Sequence, residues 1–273
     1  MIRAIITLCT SVGVSLAACA HSDHPAQTTY LGNEGIMVSD QHTTLLFDPL
    51  FPNGFDVYQM VPAEMRSALM AGEAPYDDVD AIFVSHMHPD HFSVDEVIAY
   101  LEQHDHVRLY APSQAVEWMH EETDNEAMFD RVTGVSLERL DDPVSFREGD
   151  LTIDAVRIPH AGWPARADIS NLVWRVTLAD GVTVMHLGDA DPDDSHYAPH
   201  AAHWQAKRAD AAYPPYWFFL SEAGRHIVEQ RLNTETATGI HVPVDLPADL
   251  FVSGADFLHE PGETRSIEAG SEE

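Results

Sequence analysis

The stretch that decides the fold reads His86-Met87-His88-Pro89-Asp90-His91, and it follows an apolar segment over residues 81–85. That segment predicts a strand buried on both faces. In an extended chain, side chains two positions apart point the same way, so His86, His88 and Asp90 face one side. The turn into the next helix brings His91 beside them. Three imidazoles and a carboxylate at this spacing suit a borderline metal such as zinc, and they predict a metal site.

The sequence around this stretch alternates between short strands and single helices. Ser93 and Glu96 form a capping box that predicts the start of a helix, and further helices are predicted over 63–70, 113–119 and 223–232. Turn residues at 148–150 and 179–181 predict two hairpins, and residues 238–242 predict a last strand. This order predicts an α/β fold of one domain, with two mixed sheets packed together and helices outside.

The charge balance narrows the possible partners. The chain has 273 residues, with 14 Lys and Arg against 45 Asp and Glu, and a formal net charge of −31. Such a chain has no basic surplus for a phosphate backbone, which argues against nucleic-acid binding. It also argues against docking on anionic lipid through a basic face. The acidity bears on solubility rather than on function. The predicted metal site, not the charge, leads us to expect a small-molecule substrate, while the oligomeric state is not predicted.

The first residues have the layout of an export signal. Arg3 precedes an apolar run over 4–16, and the junction Leu16-Ala17-Ala18-Cys19 resembles the lipobox of bacterial lipoproteins. This resemblance implies a signal peptide over 1–18, a lipidated Cys19 with a tether over 19–28, and a folded domain over 29–273. The protein would then be exported to the periplasm and anchored by lipid to the outer membrane. The alternative is an ordinary secretory signal cleaved after Ala18 or Ala20.

The histidine-rich stretch resembles the metal-ligand motif of the metallo-β-lactamase superfamily of metallo-hydrolases. The likeness extends from about residue 31 to residue 268, through a strand that ends in Asp48, an isolated His160, the pair Gly188-Asp189 and a final His241. The resemblance implies an αββα sandwich of two mixed sheets flanked by helices. It also implies two metal positions. The first would be held by His86, His88 and His160, the second by Asp90, His91 and His241, with Asp189 bridging both.

Several of these positions have other interpretations in the sequence alone. His160 is also compatible with a histidine that only hydrogen-bonds at a strand end, and Asp189 with an ordinary turn carboxylate. Asp48 would orient the histidine loop, as ligand histidines usually require, or it ends a strand before Pro49. Other residues compete with two of the ligands: Asp191, Asp193 and Asp194 lie near Asp189, while His226 and His259 are alternatives to His241.

The two metal ions that the resemblance implies also indicate the type of reaction, which is hydrolysis. Two zinc ions, or iron or manganese in similar sites, lower the pKa of a shared water to about 7. The resulting hydroxide would attack an ester, a lactone or a phosphodiester, and Asp90 could accept the proton of the water. Within the superfamily the chain most resembles the branch of L-ascorbate-6-phosphate lactonase, and the N-acyl-phosphatidylethanolamine phospholipase D branch shares the same motifs. The alternative is a metal-binding envelope lipoprotein without turnover.

The remaining histidines and aromatic residues are expected to have structural roles. His186 should pack within its strand, whereas His196, His200 and His203 should lie on a solvated surface. The aromatic residues are more typical of a core than of a pocket for an acyl-bearing substrate. They are Phe51, Phe55, Tyr58, Trp163, Tyr213, Tyr216, Trp217 and Phe218, with Met60 nearby.

Overall fold

Two seven-stranded sheets carry the fold in the part of the chain that the computed structural model describes, residues 25–40 and 42–270. In chain order the strands are β1 (Ala26–Gly32), β2 (Gly35–Ser39), β3 (Thr44–Phe47), β4 (Ala81–Phe83), β5 (Arg108–Pro112), β6 (Val132–Val135), β7 (Val144–Glu148), β8 (Leu151–Arg157), β9 (Leu172–Thr177), β10 (Thr183–His186), β11 (Ala209–Tyr213), β12 (Thr234–Gly239), β13 (Asp256–Phe257) and β14 (Thr264–Ile267).

Each sheet is mixed. The first has the order β14-β1-β2-β3-β4-β5-β6, antiparallel up to β3 and parallel from β3 onwards. The second has the order β13-β12-β11-β10-β9-β8-β7, in which β7 to β10 run antiparallel and β10 to β13 run parallel. The two sheets therefore have the same arrangement, in which antiparallel strands at one side of the sheet join parallel strands at the other.

Helices cover the outer faces of the sheets. They are α1 (Ala63–Ala71), α2 (Val94–Gln103), α3 (Ser113–Glu122), α4 (Ala201–Ala206), α5 (Glu222–Gln230) and α6 (Ala248–Ser253). The helix after the histidine-rich stretch begins as predicted, because the hydroxyl of Ser93 accepts the backbone N–H of Glu96 at 3.4 Å. Within the described residues, none of the helices combines the length and the apolar character needed to cross a membrane.

The core lies between the sheets, with further apolar layers beneath the helices. Phe83 of the first sheet and Trp174 of the second pack edge to face, with ring centroids 5.5 Å apart. The indole N–H of Trp174 also donates to the backbone oxygen of Val84 at 2.8 Å. The αββα architecture is thus confirmed, and the sheets are tied together directly before the histidine-rich stretch.

Two sequence predictions at the ends of the domain need correction. The predicted tether over 19–28 overlaps β1, since Ala26 and Thr28 are buried there and pair with β2 and β14. The predicted last strand over 238–242 is also wrong: β12 ends at Gly239, and β13 and β14 follow it. Alternation alone could not reveal β14, which forms by pairing with the distant β1. The predicted signal over 1–18 and Cys19 lie outside the described residues.

Candidate metal centre

The candidate site lies where strands from both sheets end, at one edge of the sandwich. In the first sheet, Asp48 directly follows β3, and His86 to His91 follow β4. In the second sheet, His160 follows β8, Asp189 follows β10 and His241 follows β12. All seven predicted metal ligands and Asp48 are brought together here, from segments far apart in the sequence.

The first group of ligands surrounds one oxygen of Asp189. Nδ1 of His88 lies 3.0 Å from Nε2 of both His86 and His160. Oδ2 of Asp189 lies 3.1 Å from Nε2 of His160 and 3.9 Å from Nε2 of His86. Nδ1 of His88 thus lies at hydrogen-bond distance from both other Nε2 atoms, although a single proton can form a hydrogen bond with only one of them.

The second group surrounds the other oxygen of Asp189. Oδ1 lies 3.0 Å from Nε2 of His241 and 3.3 Å from Nε2 of His91. Oδ2 of Asp90 lies 3.6 Å from Nε2 of His241 and 3.7 Å from Nε2 of His91. The two oxygens of one carboxylate therefore face two separate sets of donors.

Unpartnered buried atoms test whether a metal fits. Nε2 of His91, Nε2 of His241 and Oδ1 of Asp189 are buried, and although the oxygen lies 3.0–3.3 Å from the two nitrogens, none has the geometry of a hydrogen bond with any described residue. Such groups are costly inside a protein unless a ligand satisfies them. Their donor atoms lie within 4.8 Å of one another in two groups, His86 with His88, His160 and Asp189, and Asp90 with His91 and His241. The donor set fits two divalent cations.

Comparison with known proteins agrees with this geometry. Residues 43–218 match the family model described as a β-lactamase superfamily domain. The chain belongs to the metallo-β-lactamase superfamily. The matched segment contains the histidine-rich stretch, His160 and Asp189, while His241 lies beyond it.

Solved structures share the superfamily fold over nearly their whole length. A possible metal-dependent hydrolase from Veillonella parvula has a TM-score of 0.61 and 16% identity, covering 89% of this chain and 100% of that one. The isothiocyanate hydrolase from Delia radicum gut bacteria has a TM-score of 0.59 and 16% identity, covering 89% and 100%. The metallo-β-lactamase fold protein YhfI from Bacillus subtilis has a TM-score of 0.58 and 15% identity, covering 89% and 99%. At these identities the likeness shows the fold.

In this superfamily member, Asp48 positions the histidine-rich stretch through contacts on the side away from Asp189. Its Oδ2 lies 2.8 Å from Nδ1 of His91, while its Oδ1 accepts the backbone N–H of Ser85 at 2.7 Å. Asp48 has a backbone φ of 42°, in the left-handed region that non-glycine residues rarely occupy. The contact leaves Nε2 of His91 turned toward Asp189.

Gly188 lets Asp189 approach this loop. Its φ is 55°, and a Cβ at this position would overlap the side chains of Ser85 and Asn171. Only glycine combines this backbone conformation with so close an approach. The glycine of the Gly188-Asp189 pair is therefore needed for steric reasons.

The histidines of the two groups of candidate ligands differ in pKa. Burial lowers the pKa of His86 well below its usual range and that of His88 to about 4. Burial also disfavours protonation of His91 and His241, but Asp189 outweighs it, so the pKa of His91 rises well above its usual range and that of His241 rises to about 9. Burial would raise the pKa of Asp189, yet His241 and His91 hold it well below its usual range.

The competing acidic residues and histidines have structural positions. Asp191 accepts backbone N–H groups of the loop after His160, Asp193 caps a short turn, and Asp194 pairs with Arg231. His226 lies on α5, and the ring of His259 contacts the backbone oxygen of Val244. None of these residues belongs to the groups of metal donors found in the described part of the chain.

The predicted solvated histidine surface is wrong for His196 and His200, which are buried, while His203 is half-buried. The segment folds as two short turns and α4 against the second sheet. Tyr197 and Trp204 anchor it in the core, so His196, which directly precedes Tyr197, and His200, which lies between the two anchors, are carried inward. His186 is packed as predicted, stacked on the ring of Phe47 with its centroid 5.3 Å away.

The aromatic residues divide between the core and the rim of the site. Phe51, Tyr213 and Phe218 are buried in the core, as expected. The ring of Tyr58 meets His241 edge-on, with centroids 4.0 Å apart. Phe55 is 49% exposed, and Met60, Tyr216, Trp163 and Trp217 are half-buried or exposed.

The sequence did not single out Glu34. This side chain is fully buried behind His91, and neither of its carboxylate oxygens has a hydrogen-bond partner within residues 25–40 and 42–270. Its Oε2 lies 3.7 Å from Nδ1 of His91 and 3.8 Å from Nε2 of His186. A charged residue in the turn Gly32-Asn33-Glu34-Gly35, between two apolar strands, was the only available signal.

Proposed function

We propose that the protein is a metal-dependent hydrolase with two metal positions that share Asp189. The observation that carries the proposal is the Asp189 carboxylate, whose two oxygens face two separate groups of buried donors. A protein that only stores metal has no need for such a bridge. Zinc suits the position with three histidines, while iron and manganese suit similar sets of nitrogen and oxygen ligands.

The residues present supply the other requirements of hydrolysis. When bound, two divalent cations would supply Lewis acidity, which makes water nucleophilic near neutral pH and stabilises negative charge on a substrate oxygen. Asp189 holds the two positions together, and Asp90 is placed to accept a proton beside them. The sequence contains no Gly-x-Ser-x-Gly motif for a serine nucleophile. The proposed substrates are esters, lactones or phosphodiesters.

An exposed guanidinium group beside His160 favours substrates with an anionic group. Nη1 of Arg166 lies 3.5 Å from Nε2 of His160, and the side chain is exposed. Within the described residues Arg166 makes no ion pair, whereas Arg175 and Arg231 each pair with an aspartate. Because the chain is strongly acidic, a cation without a carboxylate partner beside the ligands is suited to a carboxylate or phosphate of the substrate.

We also propose that the protein is exported and held at the outer membrane through a lipid on Cys19. The sequence Leu16-Ala17-Ala18-Cys19 supports this proposal. Expressed in full, the chain should sediment with membranes, and Cys19→Ala should release it or block its processing. Equal sedimentation of both forms, with the signal removed from both, would count against a lipid on Cys19.

The function is tested on the chain without residues 1–18. Metals per chain are counted after zinc repletion, and turnover is measured on carboxyl esters, lactones, phosphodiesters and an isothiocyanate. The test variant is Asp189→Asn, and the control is Asp210→Asn, a buried aspartate on β11 that accepts N–H groups of Thr183 and Gly270. Turnover lost only in Asp189→Asn supports the hydrolase. Two metals without turnover would favour a metal-binding protein that is not an enzyme. A chain that stays metal-free would overturn both the hydrolase and the metal-binding alternative.

A further inference from the structure

Two aromatic rings border the second metal position, and the proposed hydrolysis gives them no role. The ring of Tyr58 meets His241 edge-on with centroids 4.0 Å apart, and the ring of Trp217 lies 5.3 Å from the same imidazole, with 62° between the planes. The indole N–H of Trp217 donates to the backbone oxygen of Ala190, directly after Asp189, at 3.1 Å. Both aromatic side chains are half-buried, so part of each ring is open to a ligand beside His241.

Tyr58 is carried by the loop between β3 and α1, which is fixed on two sides. The backbone N–H of Asn53 donates to the backbone oxygen of Pro89, within the histidine-rich stretch, at 3.2 Å. The backbone N–H of Val244 donates to the backbone oxygen of Val57 at 2.7 Å. The loop is therefore held between the histidine-rich stretch and the segment that follows the last ligand, which places its side chains at the border of the metal centre.

The same two segments expose large apolar side chains. Their exposed fractions range from 36% for Met60 to 49% for Phe55, with Val57 and Val244 between these values. The segments are hydrogen-bonded to each other, so these side chains belong to one region of the surface rather than being scattered singly. Exposed apolar groups that are concentrated in this way are typical of a binding surface.

The first metal position is bordered differently. There Nη1 of Arg166 lies 3.5 Å from Nε2 of His160, and the Arg166 side chain is exposed. Oδ2 of Asp189 lies 3.1 Å from Nε2 of His160, while its Oδ1 lies 3.0 Å from Nε2 of His241. One carboxylate thus separates a cationic border from an apolar one. A substrate whose reacting group lies at Asp189 therefore has one substituent toward Arg166 and the other toward Tyr58.

We propose that the substrate is amphiphilic, with an anionic group on one side of the bond that is hydrolysed and an alkyl, acyl or aryl group on the other. The apolar group contacts Tyr58 and Trp217, and Tyr58 is a residue that determines specificity for it. The inference rests on the proposed function for the bond that is cut. The apolar subsite itself binds a ligand without turnover, so the two can be tested separately.

The test measures ligand binding rather than turnover. The zinc-loaded chain without residues 1–18 is titrated calorimetrically with methylphosphonate and with butylphosphonate, which share an anionic group and differ by three methylene groups. A methylene group that leaves water contributes up to about fourfold in affinity, so butylphosphonate should bind about 10–60-fold more tightly. Equal affinities, or no measurable binding of butylphosphonate, would overturn the inference. An absence of turnover with this ratio preserved would count against the hydrolase and support the apolar subsite.

Substitutions assign the effect to the ring of Tyr58. Tyr58→Ala should lower the ratio of the two affinities by about threefold or more, while methylphosphonate binds as in the wild type. Tyr58→Phe keeps the ring and should keep the ratio. Arg166→Ala should weaken both phosphonates by about tenfold and leave their ratio unchanged.

The matched control is Trp118→Ala, which removes a partly exposed ring on α3 and should change neither affinity. A Tyr58→Ala variant that keeps the wild-type ratio would overturn the role of Tyr58. An equal loss for both phosphonates in that variant would also overturn it, because it would show that Tyr58 only supports the position of His241.

Discussion

Nδ1 of His91 lies 2.8 Å from Oδ2 of Asp48, although 43 residues separate the two in the chain. The contact joins the ends of the parallel strands β3 and β4, and it fixes which nitrogen of His91 faces the metal position. The same carboxylate also holds the backbone N–H of Ser85, directly before the first ligand, His86. One side chain thus orients the whole histidine loop.

Replacing Asp48 with Asn should therefore weaken metal binding without removing a ligand. The amide keeps the size of the side chain but loses the charge that holds the ring of His91. We expect a loss of about 10–100-fold in the affinity of the second metal position, measured by competition with a chelator.

The matched control for this variant is Asp80→Asn. Asp80 accepts the backbone N–H of Thr44 at 2.8 Å, at the other end of the same two strands. This change should leave metal affinity unaltered. An Asp48→Asn variant with wild-type affinity would show that the loop is held by its backbone alone.

The pKa difference between the two ligand groups predicts different pH profiles for metal binding. A cation has to displace a proton from a histidine that is protonated in the metal-free chain. The pKa of His241 is raised to about 9, so affinity at the second position should rise as the pH increases toward 9, by about tenfold per pH unit for each proton displaced. The pKa of His88 is lowered to about 4, so above pH ~6.5 its ring needs no deprotonation.

Calorimetric titration of the metal-free chain between pH 6.5 and 9 tests this prediction. In buffers of different ionisation enthalpy it also counts the released protons. One binding step should release protons and the other should release few. Two steps with the same pH dependence would contradict this balance of charge around Asp189.

The fold and the convergence of the candidate ligands were predictable from the sequence because they depend on local patterns. The histidine-rich stretch follows an apolar strand, and Gly188-Asp189 lies at the end of another apolar strand. Each motif can therefore be recognised from a few neighbouring residues. Glu34 could not be found this way. Its burial arises only when the turn after β1 meets the loops that carry Asp90 and His241, which are distant in sequence.

Backbone strain was equally invisible in the sequence. Asp48 and His241 both have positive φ, which nothing in their immediate neighbours indicates. Strained residues of this kind persist where the surrounding structure fixes them, and they cluster at functional sites. The errors at 238–242 and at His196 and His200 have a related cause, because tertiary packing decides whether a short segment pairs as a strand or is buried.

Removing the indole N–H of Trp174 should destabilise the contact between the sheets. In Trp174→Phe the backbone oxygen of Val84, buried two residues before His86, loses its donor. Leaving a buried acceptor unsatisfied costs about 1–3 kcal/mol, to which the smaller ring adds lost packing. Urea unfolding of the metal-free chain measures the loss in the free energy of unfolding. The control is Trp118→Phe on the partly exposed face of α3, which should change that free energy by less than about 0.5 kcal/mol. Equal effects of the two changes would show that the bond contributes nothing.

Arg166 should determine how well an anionic substrate binds. We expect Arg166→Ala to raise KM for an ester with a carboxylate or phosphate group by about tenfold, since a charge-assisted hydrogen bond to an exposed guanidinium contributes on the order of 1.5 kcal/mol. A neutral ester of the same leaving group should keep its KM. Arg147→Ala on β7 removes an exposed arginine elsewhere and should affect neither substrate. Equal losses for the charged and the neutral ester would assign Arg166 to the stability of the loop after His160 rather than to substrate recognition.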